Sequence, residues 1–284
     1  MAGTSPTARQ RELGARLRGF RIEHGMTVEH VANELLCSAT KISRLETGTR
    51  RPSLRDVRDL CALYALDEQT SAELMGLARG AREPAWWAQY DDLDLDPLIG
   101  LEQEAAAITC YSMSYIPGLL QTASYAAGII KTIAPKMETR IAEQRLEVRM
   151  RRQQVLEKAS SPRYDVLLDE AVMHRGVGGP DVMAAQLDRV LEVMRRSQVT
   201  VHLIPFSAGA YAALEGYFSL LEFGENSDLR PVVFVEGLAG NQYLQRDADV
   251  ARYRETIEYL RDRALNLGGS AELITRIRDN YARE

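Results

Sequence analysis

Residues 38–51, SATKISRLETGTRR, crowd hydroxyls and cations into one short stretch. Thr40, Ser43 and Thr47 offer hydroxyl groups, and Lys41, Arg44, Arg50 and Arg51 offer positive charge. If 39–46 is helical, Ile42 and Leu45, three residues apart, point inward. Ala39, Thr40, Ser43 and Thr47 then project outward, with Lys41 and Arg44 on the flanks. Such a face has little apolar surface of its own to bury. Its chemistry is hydrogen bonding to base edges in a major groove about 12 Å wide. Arg50 and Arg51, just past Gly48, are placed to neutralise phosphates, which supply affinity and register but little sequence information. A solvated helix face is the plain alternative.

The elements that would hold this face are short helices. Residues 8–24 are an amphipathic candidate carrying Leu13, Leu17 and Phe20, with Ile22 near its end. Thr27 is a cap for 28–35, with Val31, Ala32 and Leu35 on one side, and Ala32 sits where two helices must approach closely. Ser38 caps 39–46. Pro52-Ser53 begins a fourth helix with Leu54, Val57, Leu60, Cys61 and Tyr64, and a fifth runs from about Asp67 to Arg79. The expectation is an all-α five-helix head over 1–80. A linker over 81–97 follows, with Pro84, Trp86-Trp87 and four aspartates, the tryptophans packing at the domain junction.

A larger mixed α/β domain is expected over 98–284, which makes the chain α+β overall. Helices are expected at 98–112, 122–134 and 136–159. A strand (164–171), a helix (180–197) and a strand (199–206) form a β-α-β unit, which implies two parallel strands. The buried stripe of that helix is read as Val182, Leu187, Val190, Leu191 and Met194. Residues 217–223 and 232–238 are expected to form a hairpin, and helices near 247–264 and 270–282 end the chain.

Residues 9–66 resemble the Cro/repressor-type, or xenobiotic-response-element-type, helix-turn-helix domain, a lambda-repressor-like fold. The matching pieces are Thr27 with Val31 and Ala32, Ser38 to Gly48, and Arg50 to Ser53. The resemblance implies that Ala39, Thr40, Lys41, Ser43 and Arg44 face DNA, while Thr47, Arg50 and Arg51 meet its backbone. It also implies a structural ion pair between Arg21 and Glu46. Two positions depart from the family. Val28 stands where Gln is common, and Leu36 stands where Gly serves a turn with positive φ. Beyond the head, Trp86-Trp87, IPGLLQT with Tyr125, RMRRQ, LLDEAVMHR, VHLIPF, GYFSLLEF and VVFVE are similar to a C-terminal domain of actinobacterial regulators described as Scr1-like and antitoxin-like. That similarity implies a transcription regulator with a small partner protein.

Other groups invite bland readings. The run 140–152 carries Arg140, Arg145, Arg149, Arg151 and Arg152, but Glu138, Glu143 and Glu147 are interleaved, so a salt-bridged helix face is expected. Asp169, Glu170 and His174 follow a strand end, yet a third metal ligand and a nucleophilic triad are both missing at any defensible spacing. His202 alternates within a strand. GVGGP (176–180) lacks the register of a phosphate loop. No catalytic residue, metal or cofactor is expected.

The bulk numbers agree with a regulator. Net charge is −5, yet residues 1–66 hold 11 Lys+Arg against 7 Asp+Glu, or +4. A basic head on an acidic body fits nucleic acid. Cys37, Cys61 and Cys110 form neither a disulfide framework nor a metal motif, and the N-terminus lacks a secretory pattern. The expected location is therefore cytoplasmic. The expected partners are double-stranded DNA carrying a palindromic operator, a second copy in a homodimer, and no membrane. The rival expectation is an antitoxin-like module that sequesters a small partner protein and binds DNA only to regulate itself.

Overall fold

The structure, a computed structural model, describes residues 8–48, 50–82, 86–87, 89–90, 96–158, 161–213, 216–224, 227, 229–237 and 240–284. The chain divides into two compact units. One runs to Glu104 and includes Phe223–Arg230, and the other comprises Ala105–Glu222 and Pro231–Glu284.

Five helices build the first unit: α1 (Ala8–Glu23), α2 (Val28–Glu34), α3 (Ala39–Glu46), α4 (Leu54–Leu63) and α5 (Glu68–Gly80). Four of their starts are set by one side chain each. Thr27, Ser38, Ser53 and Asp67 each accept a hydrogen bond from the backbone N–H three residues on. Each satisfies an orphan donor of the first turn, an effect of about 1 kcal/mol. Three helix ends share one closure. The N–H groups of Met26, Cys37 and Leu66 bond back to the carbonyls of Arg21, Ala32 and Cys61. The residue before each has positive φ: Gly25, Leu36 and Ala65. This closure stops a helix within one residue and turns the chain sharply.

Leu13, Leu17, Val31, Ala32, Ile42, Leu45, Val57, Leu60, Tyr64 and Leu74 form one buried core. Ile22 is 58% exposed, so the inward stripe of α1 ends before it, contrary to the reading from spacing. Ala32 is buried in this core, and a close helix approach lies at Gly14. A Cβ on Gly14 would stand 2.5 Å from the Leu45 carbonyl oxygen and 2.6 Å from that of Glu46. Backbone thus meets backbone between α1 and the end of α3. Helix α6 (Asp96–Glu104) groups with this unit and packs on α1. Trp87 is buried and meets Trp86 edge-on at 5.4 Å.

The second unit is built on a six-stranded sheet in the order β3-β2-β1-β4-β5-β6. The strands are β1 (Ala107–Ser112), β2 (Arg163–Asp169), β3 (Val199–Ile204), β4 (Phe218–Glu222), β5 (Val232–Val235) and β6 (Gln242–Leu244). β1, β2 and β3 are parallel, with Cys110 opposite Val166 and Val166 opposite Val201. β4 runs antiparallel to β1, and the β4–β5 hairpin pairs Leu220 with Val233. The helices are α7 (Ala123–Ile133), α8 (Thr139–Arg152), α9 (Ala171–His174), α10 (Pro180–Val193), α11 (Asp247–Arg261) and α12 (Leu267–Tyr281). One face of the sheet, with Tyr111, Leu167, Phe218 and Val233, forms a core with Val250, Ile257 and Leu260 of α11. Next to the edge strand β3, the N–H of Leu203 donates to Ser270 Oγ and its carbonyl accepts from the Leu265 N–H. The α11–α12 connection thus shields that edge.

The fold class stands as read: an all-α five-helix head, then a larger mixed α/β unit. Several elements differ. The helix expected over 98–112 is α6 followed by β1. All six residues of β1 are buried, so the alternation that marks a strand is missing. The helix expected over 136–159 begins at Thr139 and gives way to a 3₁₀ turn at Gln153–Glu157. The buried stripe of α10 is Met183, Gln186, Leu187, Val190 and Val193; Leu187 and Val190 are as expected, while Val182, Leu191 and Met194 are only half-buried. Gln186 explains the shift. Its amide donates to the Leu120 carbonyl and accepts from the Thr122 N–H, which braces the IPGLLQT turn. The short β6 was not anticipated, and α12 starts three residues early, capped by Asn266.

Candidate nucleic-acid interface

Helix α3 is pinned from three sides. Ser38 Oγ accepts from the Lys41 N–H at 3.2 Å and fixes its start. Ile42 and Leu45 hold its inner face in the core. At its end, Glu46 takes a two-point hydrogen bond from Arg21, Nε to Oε1 at 2.6 Å and Nη2 to Oε2 at 2.9 Å. The remaining arm of Arg21, Nη1, donates to the Met26 carbonyl at 2.9 Å. One guanidinium therefore ties the end of α1, the α1–α2 turn and the end of α3. The side chains are only 12% and 6% exposed, so the pair is largely desolvated. The hydrogen bond to Glu46 is the main reason that the Arg21 pKa rises above its ordinary value. Deleting one partner would strand a charge, at a cost of about 3–5 kcal/mol.

The loop beyond α3 is equally determined. Gly48 has φ +65, and a Cβ there would press on the Arg11 backbone at 2.8 Å. Its carbonyl accepts from Gln10 Nε2 at 3.1 Å. The Arg50 N–H then bonds back to the Arg44 carbonyl at 3.0 Å, setting Arg50 beside the end of α3. Spacing alone did not reveal Gln10, Gly14 or Arg11 as supports, because each acts through a backbone atom distant in sequence.

The expected contact residues separate into two groups. Thr40, Ser43, Arg44, Thr47, Arg50 and Arg51 are exposed. The Thr47 hydroxyl donates to the Ser43 carbonyl at 2.9 Å, which orients it along the helix. Lys41 and Ala39 behave otherwise. Lys41 Nζ donates to Asp56 Oδ1 of α4 at 2.6 Å and is half-buried there. On the flank of α3, its charge is thus paired with Asp56 within the protein. Ala39 is half-buried and packs against the core, contrary to the outward reading. Val28 likewise packs on the core instead of offering a polar group. Leu36 occupies the turn with φ +49 and is 94% exposed, the geometry that the missing glycine would have served.

The carboxylates weighed as catalysts have structural partners. Asp169 Oδ1 accepts from the Ala171 N–H, and Asp169 Oδ2 accepts from the Tyr211 hydroxyl. Glu170 Oε2 accepts from the Phe206 N–H at 2.7 Å, and His174 lies 3.4 Å from Glu170 Oε1. In the run 140–152, expected as a salt-bridged helix face, Arg152 is buried and Arg149 donates to the neutral Gln121.

A short helix capped by Ser38, docked across a tight turn on a second helix and followed by a basic loop, defines a helix-turn-helix, the DNA-binding unit of a regulator. Residues 12–74 match a helix-turn-helix domain, in agreement with that geometry. Residues 95–276 match a domain of unknown function, DUF5753, and the chain belongs to that family. No curated protein and no solved structure matches the chain. Among the described residues, no helix is long and apolar enough to cross a membrane.

Proposed function

We propose that the chain is a sequence-specific, Cro/repressor-type transcription regulator whose helix α3 enters the major groove. The observation that carries this reading is the exposed set Thr40, Ser43 and Arg44 on a helix whose other side is anchored by Ile42, Leu45 and the Arg21–Glu46 pair. Thr40 and Ser43 reach base edges, and Arg44 donates its fork to guanine. Arg50 and Arg51 meet phosphates on the flank, with Thr47 at the same end. Lys41 supports from behind, steering α3 through Asp56.

One head offers few base contacts. We therefore infer a symmetric dimer reading two half-sites about 34 Å apart, one helical turn of DNA. The second unit supplies the dimer contact and the signal. A Scr1-like, antitoxin-like role in binding a small partner protein rests on sequence similarity alone, and co-purification of such a partner separates it from the regulator reading. Enzyme activity forms no part of the proposal.

The test is selection of bound sequences from a randomised duplex library by the full chain. Enrichment of one motif repeated in inverted orientation is expected. A library that stays random after repeated rounds refutes sequence-specific reading. Light scattering that shows a monomer, both free and on the selected duplex, refutes the dimer.

A further inference from the structure

In the second unit, the inner side of α8 carries two arginines three residues apart that meet the IPGLLQT turn. Arg149 Nη1 donates to Gln121 Oε1 at 3.0 Å. Gln121 is itself buried and held, with its amide donating to the Ile116 carbonyl at 2.6 Å. Gln153 Nε2 closes the same turn by donating to the carbonyls of Gly118 at 2.8 Å and Gln121 at 2.7 Å. The second arginine lies against Gly118, where a Cβ would stand 3.4 Å from Arg152 Nη2, an ordinary contact. Tyr115 and Tyr217 stack beside this pair with ring centres 6.2 Å apart and planes 16° from parallel. The Tyr115 hydroxyl donates to Glu236.

Arg149 is the anomaly in this cluster. Its hydrogen bond goes to a neutral amide, and it has no ion pair with a carboxylate among the described residues. Protein surrounds it densely, and this loss of water is the first cause holding its pKa below the ordinary arginine value. The charge of Arg152 acts in the same direction, while Tyr115, Glu236 and Tyr217 act against it. Yet the residue keeps an opening to solvent. The guanidinium is thus largely enclosed by protein yet not sealed from solvent. A desolvated cation with most of its N–H donors uncommitted is costly unless an anion joins it.

We propose that Arg149 anchors a binding site for a small oxyanion, a carboxylate or phosphate group, whose body lies against the stacked Tyr115 and Tyr217. The fixed amide of Gln121 holds the guanidinium plane, so its remaining donors present a ready two-point fork. Arg152 adds positive potential from the adjacent turn of α8. Glu236 opposes it and limits affinity from the rim. The site belongs to the second unit and is independent of the DNA reading of the first.

The experiment follows the Nε–Hε signal of Arg149, assigned by through-bond NMR, in the full chain. Inorganic phosphate and succinate are titrated separately at constant ionic strength. A saturable shift with either anion is expected, and the anion acting at lower concentration identifies the class. Glu236→Gln should tighten binding, and Arg149→Gln, read by thermal shift, should weaken it by about tenfold or more, the effect of losing a charged hydrogen bond. Should Arg149→Gln fail to fold, the wild-type and Glu236→Gln titrations decide. Shifts that track ionic strength without saturating overturn the site. So does a saturable effect that persists in Arg149→Gln, or one abolished by Arg50→Ala.

Discussion

Arg44 and Arg50 are joined by a single backbone hydrogen bond, yet they should fail in different ways. Arg44 lies on α3, and a base contact there is worth about 1–3 kcal/mol of discrimination. Arg44→Ala should therefore lower affinity for the selected site toward that for random DNA. Arg50→Ala should weaken both equally and reduce the salt slope by about one unit, because one phosphate contact releases about one counterion. Fluorescence anisotropy across a salt series distinguishes the two, and identical behaviour of both variants refutes the assignment. Lys41 shows how far a residue's type can mislead. Its place on the outer flank was legible from helical spacing. Its commitment to Asp56 was not, because that depends on how α4 docks fifteen residues later.

At the scale of elements, the α2–α3 turn carries a strain that its sequence announces. Leu36 holds φ +49 at a position where glycine is free of penalty, and its side chain packs on almost nothing. Leu36→Gly should raise stability by about 0.5–1 kcal/mol in denaturant titrations of the full chain, since relief of the left-handed conformation outweighs the added freedom of the unfolded chain. Gly14 sets the opposite limit. A methyl group there meets the carbonyl oxygens of Leu45 and Glu46 below contact distance. Gly14→Ala should cost about 1–3 kcal/mol by forcing α1 away from α3. It should also weaken DNA binding more than Gly76→Ala, where a Cβ meets nothing within 4 Å. Equal stability of the two alanine variants would refute backbone contact between α1 and α3. The capped helices were legible because Thr27, Ser38, Ser53 and Asp67 act locally. β1 was not, because a strand buried on both faces has no alternation.

Across the molecule, the second unit concentrates buried and half-buried tyrosines. Burial is the first cause raising the pKa of Tyr111, Tyr115, Tyr125, Tyr211 and Tyr217 above the ordinary tyrosine value. The folded state then keeps these protons at pH values where the unfolded chain has lost them. Fewer protons on the unfolded chain mean that stability falls as pH rises. The contribution is fully present below about pH 10 and is lost progressively above it. Unfolding followed at stepped alkaline pH, with tyrosinate absorbance as the second signal, should show ionisation and loss of structure together. Tyrosine ionisation completed near pH 10 with the fold intact would contradict this.

The sequence alone determined what depends on neighbours a few residues away. That covers the helix caps, the parallel β-α-β unit, the hairpin, and the polar outer edge of α3. Each is written in local hydrogen bonding or in a short hydrophobic period. Tertiary structure alone decided which polar groups remain available once the helices dock. It tied Lys41 to Asp56, set Gln186 in the buried stripe of α10 to hold a turn, and drew Arg149 inward beside Gln121. The physical reason is that the fate of a charge or an amide is set by desolvation and by partners distant along the chain, and a linear pattern records neither.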